Sequence, residues 1–304
     1  MPELPEVETI VRQLRGRLPG LVVSGVRLLR ASYVRCGRGL LHKLEGQSVT
    51  AVRRLGKAVV IEFSGSRCMI VRLGMTGSLL LDEQGDSPPH CHLVLHFGPR
   101  LCLRFVDPRR FGGVYLRAAC FLPRAPEVCR LGLDPLAGDF TDSWLWHRLA
   151  RSKRNLKSFL LDQTIIAGVG NIYASEILFR AGLHPLRRAD SLRREQARRL
   201  RRETVNVLRA AIDSRGTTFS DYKDSAGRSG DFAPLLLVYG REGQNCYKCG
   251  ARIRRLVISG RSTFFCPRCQ RAPRGGPVEG RPKRGARRLS DRGSKSPRAS
   301  RDRP

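Results

Sequence analysis

Residues 92–105 have the sequence His-Leu-Val-Leu-His-Phe-Gly-Pro-Arg-Leu-Cys-Leu-Arg-Phe, in which two apolar runs flank Gly98-Pro99. Glycine followed by proline between two such runs is typical of a β-hairpin. Two more short apolar runs, at 58–63 and 78–81, precede it. Because many short strands joined by turns favour a β-sandwich over a parallel sheet, we predict a sandwich over residues 21–117.

Helical patterns lie on both sides of this strand-rich segment. Before it, residues 5–16 have apolar side chains at the spacing of one helix face. After it, a connector rich in proline and glycine leads into four predicted helices. These cover residues 144–154, 156–162, 171–181 and 192–212. Strands and helices in separate parts of the chain indicate the α+β class.

The composition of the 304-residue chain, with 41% hydrophobic and 27% charged residues, is that of a soluble protein with room for two domains. Its net charge of +31 predicts a polyanionic partner, nucleic acid first and an anionic membrane surface second. The membrane alternative lacks an apolar run of about 18 residues. The N-terminus also lacks the apolar segment of a secretory signal. We therefore expect no membrane contact and a cytoplasmic, nucleoid-associated location.

The C-terminal end of the chain is strongly basic. Residues 271–304 hold twelve basic and three acidic side chains and almost nothing apolar. A segment with so little to bury is expected to stay disordered. We predict a disordered basic tail over residues 272–304 that adds nonspecific affinity for polyanions and no chemistry.

Four of the ten cysteines form the pattern Cys246-x2-Cys249-x16-Cys266-x2-Cys269. Two such knuckles joined by a short hairpin are a strong signature of tetrahedral zinc with four thiolates. The hairpin is predicted to turn near Ser259-Gly260-Arg261, which presents Arg261 outward as a phosphate contact requires. Two disulfides are the alternative to zinc. Since four thiolates leave no open position on the metal, we predict one structural zinc ion.

The other six cysteines are scattered singly along the chain. In a reducing compartment they are expected to be buried free thiols. They are Cys36, Cys68, Cys91, Cys102, Cys120 and Cys129.

The chain begins Met-Pro-Glu-Leu-Pro-Glu-Val-Glu-Thr, which crowds two prolines and three carboxylates at one end. Removal of Met1 would leave Pro2 with a secondary amine close to Glu3 and Glu6. An amine is a nucleophile toward carbonyl-like carbon, and a neighbouring carboxyl group can move protons. The pattern indicates covalent chemistry at the chain's own N-terminus. The alternative is a solvated tail that only begins a helix, since acids favour a helix start.

Two turn-like segments each place a large side chain beside glycine. They are Leu73-Gly74-Met75-Thr76-Gly77 and Asp107-Pro108-Arg109-Arg110-Phe111-Gly112. On a basic protein, exposed Met and Phe side chains can wedge between bases, and Arg can fill the space that a base leaves. The alternative is ordinary core filling by Met75 and Phe111.

Two further features have both a functional and a structural interpretation. Gly168-Val169-Gly170-Asn171 precedes a predicted helix, whose N-terminal amides favour an anion such as a DNA phosphate. An ordinary tight turn explains the glycines equally well. Lys57 lies directly before an apolar strand, where a buried lysine with a lowered pKa can act as acid or base. Most lysines at strand starts are instead solvated.

The motifs together resemble those of the bacterial formamidopyrimidine-DNA glycosylase family, in the family's order and over about residues 1–271. The resemblance rests on MPELPEVET, LGK before a strand, LGMTGSL, DPRRFG, LLDQTIIAGVGNIYASEILFRAGLHP, GTT, VYGREGQNCYKCG and GRSTFFCPRCQ. It implies an N-terminal β-sandwich catalytic domain over residues 1–134 and a helix-two-turn-helix DNA-binding domain over 135–236. A zinc finger would then cover residues 237–271.

The resemblance implies a bifunctional enzyme of base excision repair, acting as a monomer on damaged double-stranded DNA. It would remove 8-oxoguanine and formamidopyrimidines and then cut the strand by β,δ-elimination through a Schiff base on Pro2. Glu3 would be the general acid, Lys57 the proton donor for β-elimination and Arg261 that for δ-elimination.

The resemblance also implies a set of DNA-contacting residues. Met75, Arg109 and Phe111 would fill the hole that the flipped base leaves. The segment around Thr217, Thr218 and Tyr222 would cover that base. The other implied DNA contacts are His90, Lys153, Lys157 and Asn171.

Two rival functions and one departure from the family pattern stand beside this prediction. A noncatalytic zinc-ribbon binder of nucleic acid would explain the charge and the zinc, but not the four matching catalytic positions. A repair lyase that prefers oxidised pyrimidines, like the related endonuclease VIII, would differ only in the shape of its lesion pocket. The departure is Arg72, which precedes Leu-Gly-Met where the family often has histidine.

Overall fold

The computed structural model describes residues 2–83, 85–219 and 222–272. The predicted basic tail beyond residue 272 lies outside the described residues. Eleven strands are found in the described part. They are β1 (Gly25–Leu28), β2 (Val34–Cys36), β3 (Val49–Leu55), β4 (Ala58–Phe63), β5 (Arg67–Arg72), β6 (Ser78–Glu83), β7 (Cys91–Phe97), β8 (Leu101–Val106), β9 (Gly113–Ala118), β10 (Arg254–Ile258) and β11 (Arg261–Phe265).

Strands β1–β9 form two sheets, which confirms the predicted sandwich. One has the order β1-β7-β8-β6 and the other β2-β9-β5-β4-β3. Pairing is antiparallel except between β2 and β9, which run parallel. The predicted hairpin is β7 and β8, with His96 opposite Cys102 and Gly98 in the left-handed region at φ 66°. Apolar side chains from both sheets, among them Val59, Met69 and Phe105, form one core.

Five α-helices complete the described chain and confirm the α+β class. They are α1 (Leu4–Arg15), α2 (Asp142–Ala150), α3 (Leu156–Leu161), α4 (Asn171–Arg180) and α5 (Arg194–Asp213). Helices α2 to α5 surround a second core that includes Leu145, Phe159 and Leu208. In the described residues, no helix combines the length and apolar character needed to cross a membrane.

Helix α1 joins the two cores. Its residues Val7, Ile10 and Val11 pack into the sandwich, whereas Leu4, its first residue, is buried in the helical core. The first described residues of the chain therefore lie between the sandwich and the helices.

Helix α2 differs most from its predicted bounds, since residues 151–154 are not helical. Thr141 begins the helix early, because its Oγ1 accepts a hydrogen bond from the Trp144 amide. The chain then turns so that Asn155 can cap α3, where its side chain accepts from the Ser158 amide. Two side-chain caps thus set the helix ends that periodicity alone placed wrongly.

The expectation that all six scattered cysteines are buried is wrong for three of them. Cys68, Cys91 and Cys102 are buried in strands, whereas Cys36 is half-buried, and Cys120 and Cys129 are exposed. The two exposed residues follow β9, one in a short 3₁₀ segment and one in the irregular segment after it. A lone cysteine outside periodic structure carries no sequence signal for burial.

Candidate active site and nucleic-acid interface

The N-terminal residues are held by the loop before α4. The Leu4 amide donates to the Gly168 carbonyl at 3.0 Å. Gly168 has φ +90°, and a Cβ there would lie 2.8 Å from the Leu4 Cβ. The backbone approach between the two segments is therefore possible only because residue 168 has no side chain. Pro2, the predicted nucleophile, is buried at this junction.

The Glu3 carboxylate caps helix α4. It is buried and accepts hydrogen bonds from the amides of Ile172 at 3.0 Å and Tyr173 at 3.4 Å. The chain's own carboxylate therefore takes two of the amides at this helix start, and the predicted contact of Asn171 with a DNA phosphate stays a prediction. A helix N-terminus stabilises negative charge, so it orients Glu3 as well as binding it.

Glu6 is the centre of a buried hydrogen-bond network. The sequence indicated Glu6 only as a neighbour of Pro2. Its carboxylate accepts from the Glu3 amide at 2.7 Å, from the Thr217 amide at 2.8 Å and from the Tyr173 hydroxyl. Burial, followed by the nearby charge of Glu3, raises the pKa of Glu6 to about 7. The only sequence signal for this role was its position in the first turn of a helix that begins with Glu3-Leu4-Pro5.

Lys57 lies within electrostatic range of both the Glu3 carboxylate and the Arg261 guanidinium. Burial lowers the pKa of Lys57, while the charge of Glu3 raises it and that of Arg261 lowers it again. Arg261 is exposed at the start of β11, where it pairs with Ile258 across the turn Ser259-Gly260. Both turn residues have positive φ, 49° and 72°, as a two-residue hairpin turn requires. The four predicted catalytic residues are thus brought together around Glu3.

The two turn-like segments lie directly against each other. A Cβ at Gly74 would lie 2.5 Å from the Gly112 amide nitrogen. Met75 and Phe111 are 41% and 59% exposed, so the alternative of core filling is wrong. The Arg109 guanidinium lies 5.0 Å from the centre of the Phe111 ring. Three large side chains therefore project together from adjacent loops.

Asp107 holds these loops in place, and sequence reasoning missed it. It is fully buried. Its carboxylate accepts from the Thr76 hydroxyl at 2.6 Å, the Gly112 amide at 2.8 Å and the Tyr33 hydroxyl at 3.0 Å. Because Thr76 and Gly112 belong to different loops, one carboxylate fixes the distance between Met75 and Phe111. Its place directly before Pro108 was the only available signal.

The remaining predicted DNA contacts lie on or under the basic surface of the cleft. His90 and Lys153 are exposed, and each lines an open groove, of about 420 and 580 Å³ respectively. The Asn171 side-chain amide donates to the Ser262 carbonyl at 2.8 Å and so ties α4 to the finger hairpin.

Lys157 differs from the other predicted contacts because it is fully buried. Its Nζ donates to the Asn171 carbonyl at 2.8 Å and to the Ser175 hydroxyl at 2.7 Å. Burial lowers the pKa of Lys157 to about 7. Two of its three Nζ hydrogens are therefore used in hydrogen bonds within the protein, directly beneath Asn171.

The segment that begins at Thr217 contacts both α1 and α4 through its first residue. Besides its amide contact with Glu6, Thr217 has its hydroxyl 2.9 Å from that of Tyr173. The Thr218 hydroxyl donates to the Tyr222 carbonyl, and the Tyr222 hydroxyl donates to the Glu6 carbonyl at 3.3 Å. The predicted segment therefore starts at the acidic pair Glu3 and Glu6.

The four cysteines of the two knuckles converge at the end of the finger hairpin. All four sulfur atoms lie within 4.8 Å of one another. The Cys246–Cys269 and Cys249–Cys266 sulfurs are 3.9 and 3.4 Å apart, too far for the disulfide alternative. Tetrahedral Zn–S bonds of about 2.3 Å separate the sulfurs by about 3.8 Å. The donor set therefore fits one zinc ion with no open position, as predicted.

Three family models match the amino-acid sequence. Residues 1–114 match the formamidopyrimidine-DNA glycosylase N-terminal domain, residues 131–223 its H2TH domain, and residues 243–272 a zinc finger found in FPG and IleRS. The chain is 43% identical over 277 residues to formamidopyrimidine-DNA glycosylase of Heliobacterium modesticaldum. That match covers 89% of this chain and 100% of the relative.

Solved structures with the same fold include Lactococcus lactis Fpg bound to DNA that contains an abasic site. It superposes with a TM-score of 0.82 at 31% identity over 89% of this chain and 100% of that one. The same enzyme bound to DNA with N7-benzyl-Fapy-dG gives 0.83 at 31% identity with the same coverage. The protein is therefore a zinc-finger DNA glycosylase that acts on damaged DNA. It belongs to the formamidopyrimidine-DNA glycosylase family.

Proposed function

We propose that this protein removes oxidised purines, namely 8-oxoguanine and formamidopyrimidines, and then cuts the strand by β,δ-elimination through a Schiff base on Pro2. The observation that carries the proposal is the position of the N-terminus. Pro2 is buried between the two cores, beside a carboxylate that the N-terminus of α4 holds in place. The alternative, a solvated tail that only begins a helix, would leave Pro2 exposed.

The chemistry proceeds without metal once Met1 is removed. The Pro2 nitrogen attacks C1′ of the damaged nucleotide while the C1′–N9 bond breaks, and the proton that the amine loses passes through Glu3 to the departing base. The amine is secondary, so ring opening of the sugar gives a cationic iminium. That cation acidifies the C2′ proton, whose loss expels the 3′ phosphate by β-elimination. Loss of the C4′ proton then expels the 5′ phosphate by δ-elimination.

Lys57 and Arg261 serve the eliminations. Lys57 lies partly buried with a lowered pKa, so it gives up a proton more readily than a solvated lysine. We assign it to proton donation during β-elimination. Arg261 is exposed at the finger turn, near enough to Lys57 for its charge to lower the pKa of that lysine, and we assign it to δ-elimination.

Damaged duplex DNA binds along the basic cleft as its substrate. Met75, Arg109 and Phe111 project together and are placed to fill the stack after the damaged nucleotide is flipped out. His90 and Lys153 contact the DNA, and we assign Asn171, together with Lys157 directly beneath it, to phosphate binding. Solved relatives bound to abasic and Fapy-dG DNA support this substrate class.

The protein acts as a monomer in the cytoplasm, with the domain bounds 1–134, 135–236 and 237–271.

Borohydride trapping on a duplex that contains 8-oxoguanine opposite cytosine tests the proposal. The iminium is reduced to a stable amine, so wild-type protein is expected to become covalently joined to the DNA. Protein with Met1 retained is the matched control and is not trapped. A noncatalytic nucleic-acid binder gives no adduct in either form. Efficient trapping on oxidised pyrimidines but not on 8-oxoguanine would overturn the substrate assignment.

A further inference from the structure

The segment that follows Thr217 is anchored at both ends in the helical half of the protein. Thr217 forms a bridge with Asp231, and the Phe232 amide donates to the Gly216 carbonyl at 3.0 Å. Between these ends, residues 224–228 form a tight turn, called here the docked turn. Its organiser is Asp224, which is fully buried and accepts from the amides of Ala226 and Arg228 at 3.0 and 2.9 Å.

The docked turn belongs to the helical half of the protein but contacts the sandwich. The Leu81 amide of β6 donates to the Ser225 carbonyl at 2.8 Å. Its other support is the side chain of Gln13, on the last turn of α1. Gln13 Nε2 donates to Asp224 Oδ2 at 2.8 Å. Gln13 Oε1 accepts from the Ser225 amide at 2.9 Å and from the Ser225 hydroxyl at 2.6 Å.

Gln13 therefore uses both ends of its amide at once, which a purely donating or accepting side chain cannot do. Asp224 and Ser225 are buried, so their groups have no water to replace a lost partner. The helix that carries Gln13 also carries Glu6, which accepts from the Thr217 amide at the other end of the segment. Helix α1 thus holds both the first residue of the segment and the docked turn within it.

We propose that Gln13 is a positioning residue that fixes the docked turn, and with it the segment over the damaged base, to the sandwich. The inference rests on the proposed function. The inference extends the proposed function, because it makes base excision depend on a residue that contacts neither the DNA nor the reacting atoms. Cutting at a site that has already lost its base has no base to cover, so it does not depend on Gln13.

Two variants and one control test the inference. Gln13→Ala removes all three hydrogen bonds. Gln13→Glu keeps the acceptor for Ser225 but places a carboxylate against Asp224. Gln47→Ala is the matched control, since Gln47 is also half-buried and bonds a serine, Ser64, away from the cleft.

The first measurement is amide hydrogen exchange in the free protein. Gln13→Ala is expected to lower the protection of the Ser225 amide at least about tenfold, the effect of one lost hydrogen bond, while Gln47→Ala leaves it unchanged. In Gln13→Glu, the turn is loosened at pH 8 and regains protection toward pH 5 as one carboxyl group is protonated. Unchanged protection in Gln13→Ala would overturn the inference.

The second measurement compares single-turnover excision of 8-oxoguanine with cutting of a preformed abasic site. Gln13→Ala is expected to slow excision about tenfold or more and to change abasic cutting less than about twofold. Equal losses on both substrates, or no loss on either, would refute the positioning role. If wild-type protein excises no oxidised purine, the proposed function fails, and the exchange measurement alone then decides whether Gln13 holds the turn.

Discussion

The Glu3 carboxyl group occupies the space where a side chain on Gly170 would begin. A Cβ at residue 170 would lie 2.2 Å from the Glu3 Cδ, far inside van der Waals contact. Glu3 and the start of α4 therefore fit together only with glycine at this position.

Gly170→Ala is expected to displace the Glu3 carboxylate from the α4 amides and to reduce excision of 8-oxoguanine about a hundredfold, the usual size of a lost acid. Cutting of abasic DNA should fall much less. Gly138→Ala is the matched control, because a Cβ there meets nothing within 4 Å. Single-turnover kinetics on both substrates measure the effect, and normal excision by Gly170→Ala would contradict the importance of this contact.

Glu3→Gln keeps the shape and polarity of the side chain but cannot donate the proton. Excision of 8-oxoguanine is expected to fall at least about a hundredfold. An abasic site has already lost its base, so the variant should cut abasic DNA far better than it excises the lesion. Retaining Met1 blocks the Pro2 amine and should abolish both activities. Full activity with a blocked N-terminus would exclude Pro2 as nucleophile and leave Lys57 as the candidate.

Glu6 should make the protein less stable as pH rises. Its pKa is raised from 4.5 to about 7 in the folded protein, so between these values the folded state binds more protons than the unfolded state. Stability then falls with increasing pH through this window, by about 3 kcal/mol in all. Glu6→Gln removes this dependence. The melting temperature of Glu6→Gln relative to that of wild type should therefore be higher at pH 8 than at pH 5.

The exposed carboxylate Glu45 provides the control for this measurement. Glu45→Gln should change the melting temperature by the same amount at both pH values. A Glu6→Gln difference that is equally constant with pH would show that Glu6 does not titrate in this range.

Cys249→Ala removes one of four zinc ligands. Since a structural zinc site stabilises the finger that surrounds it, this variant should lose the metal and unfold the finger. DNA binding should weaken, because Arg261 and Ser262 belong to the same hairpin. Metal content and DNA affinity are the measurements, with the exposed cysteine variant Cys129→Ala as control. Wild-type zinc content in Cys249→Ala would contradict the ligand assignment.

The sequence was most informative where the signal is local. The alternation around Gly98-Pro99 predicted β7 and β8, and the spacing of Cys246 to Cys269 predicted the zinc site, because neighbouring residues alone determine both. The resemblance to a known family added the convergence of Pro2, Glu3, Lys57 and Arg261, which no local pattern contains.

The contacts that fix the site lay outside what the sequence could indicate. Asp107 joins two loops that are about thirty residues apart, and Gln13 reaches a turn more than two hundred residues away. A single polar residue in a helix or before a proline has many possible partners. The α4 N-terminus illustrates the limit, because its preference for an anion was evident but the choice of Glu3 over phosphate depends on the tertiary fold.

The burial of Pro2 and Leu4 beneath residues 168–173 has a consequence for biosynthesis. Glu3 and Leu4 cannot take their final places until the roughly 170 residues up to the start of α4 have been made, which takes about 10 to 30 s at ordinary elongation rates. During that time the chain's beginning is open to the enzymes that trim Met1. The proposed mechanism needs a free Pro2 amine, so it favours removal of Met1 before residues 2–4 pack against residues 168–173.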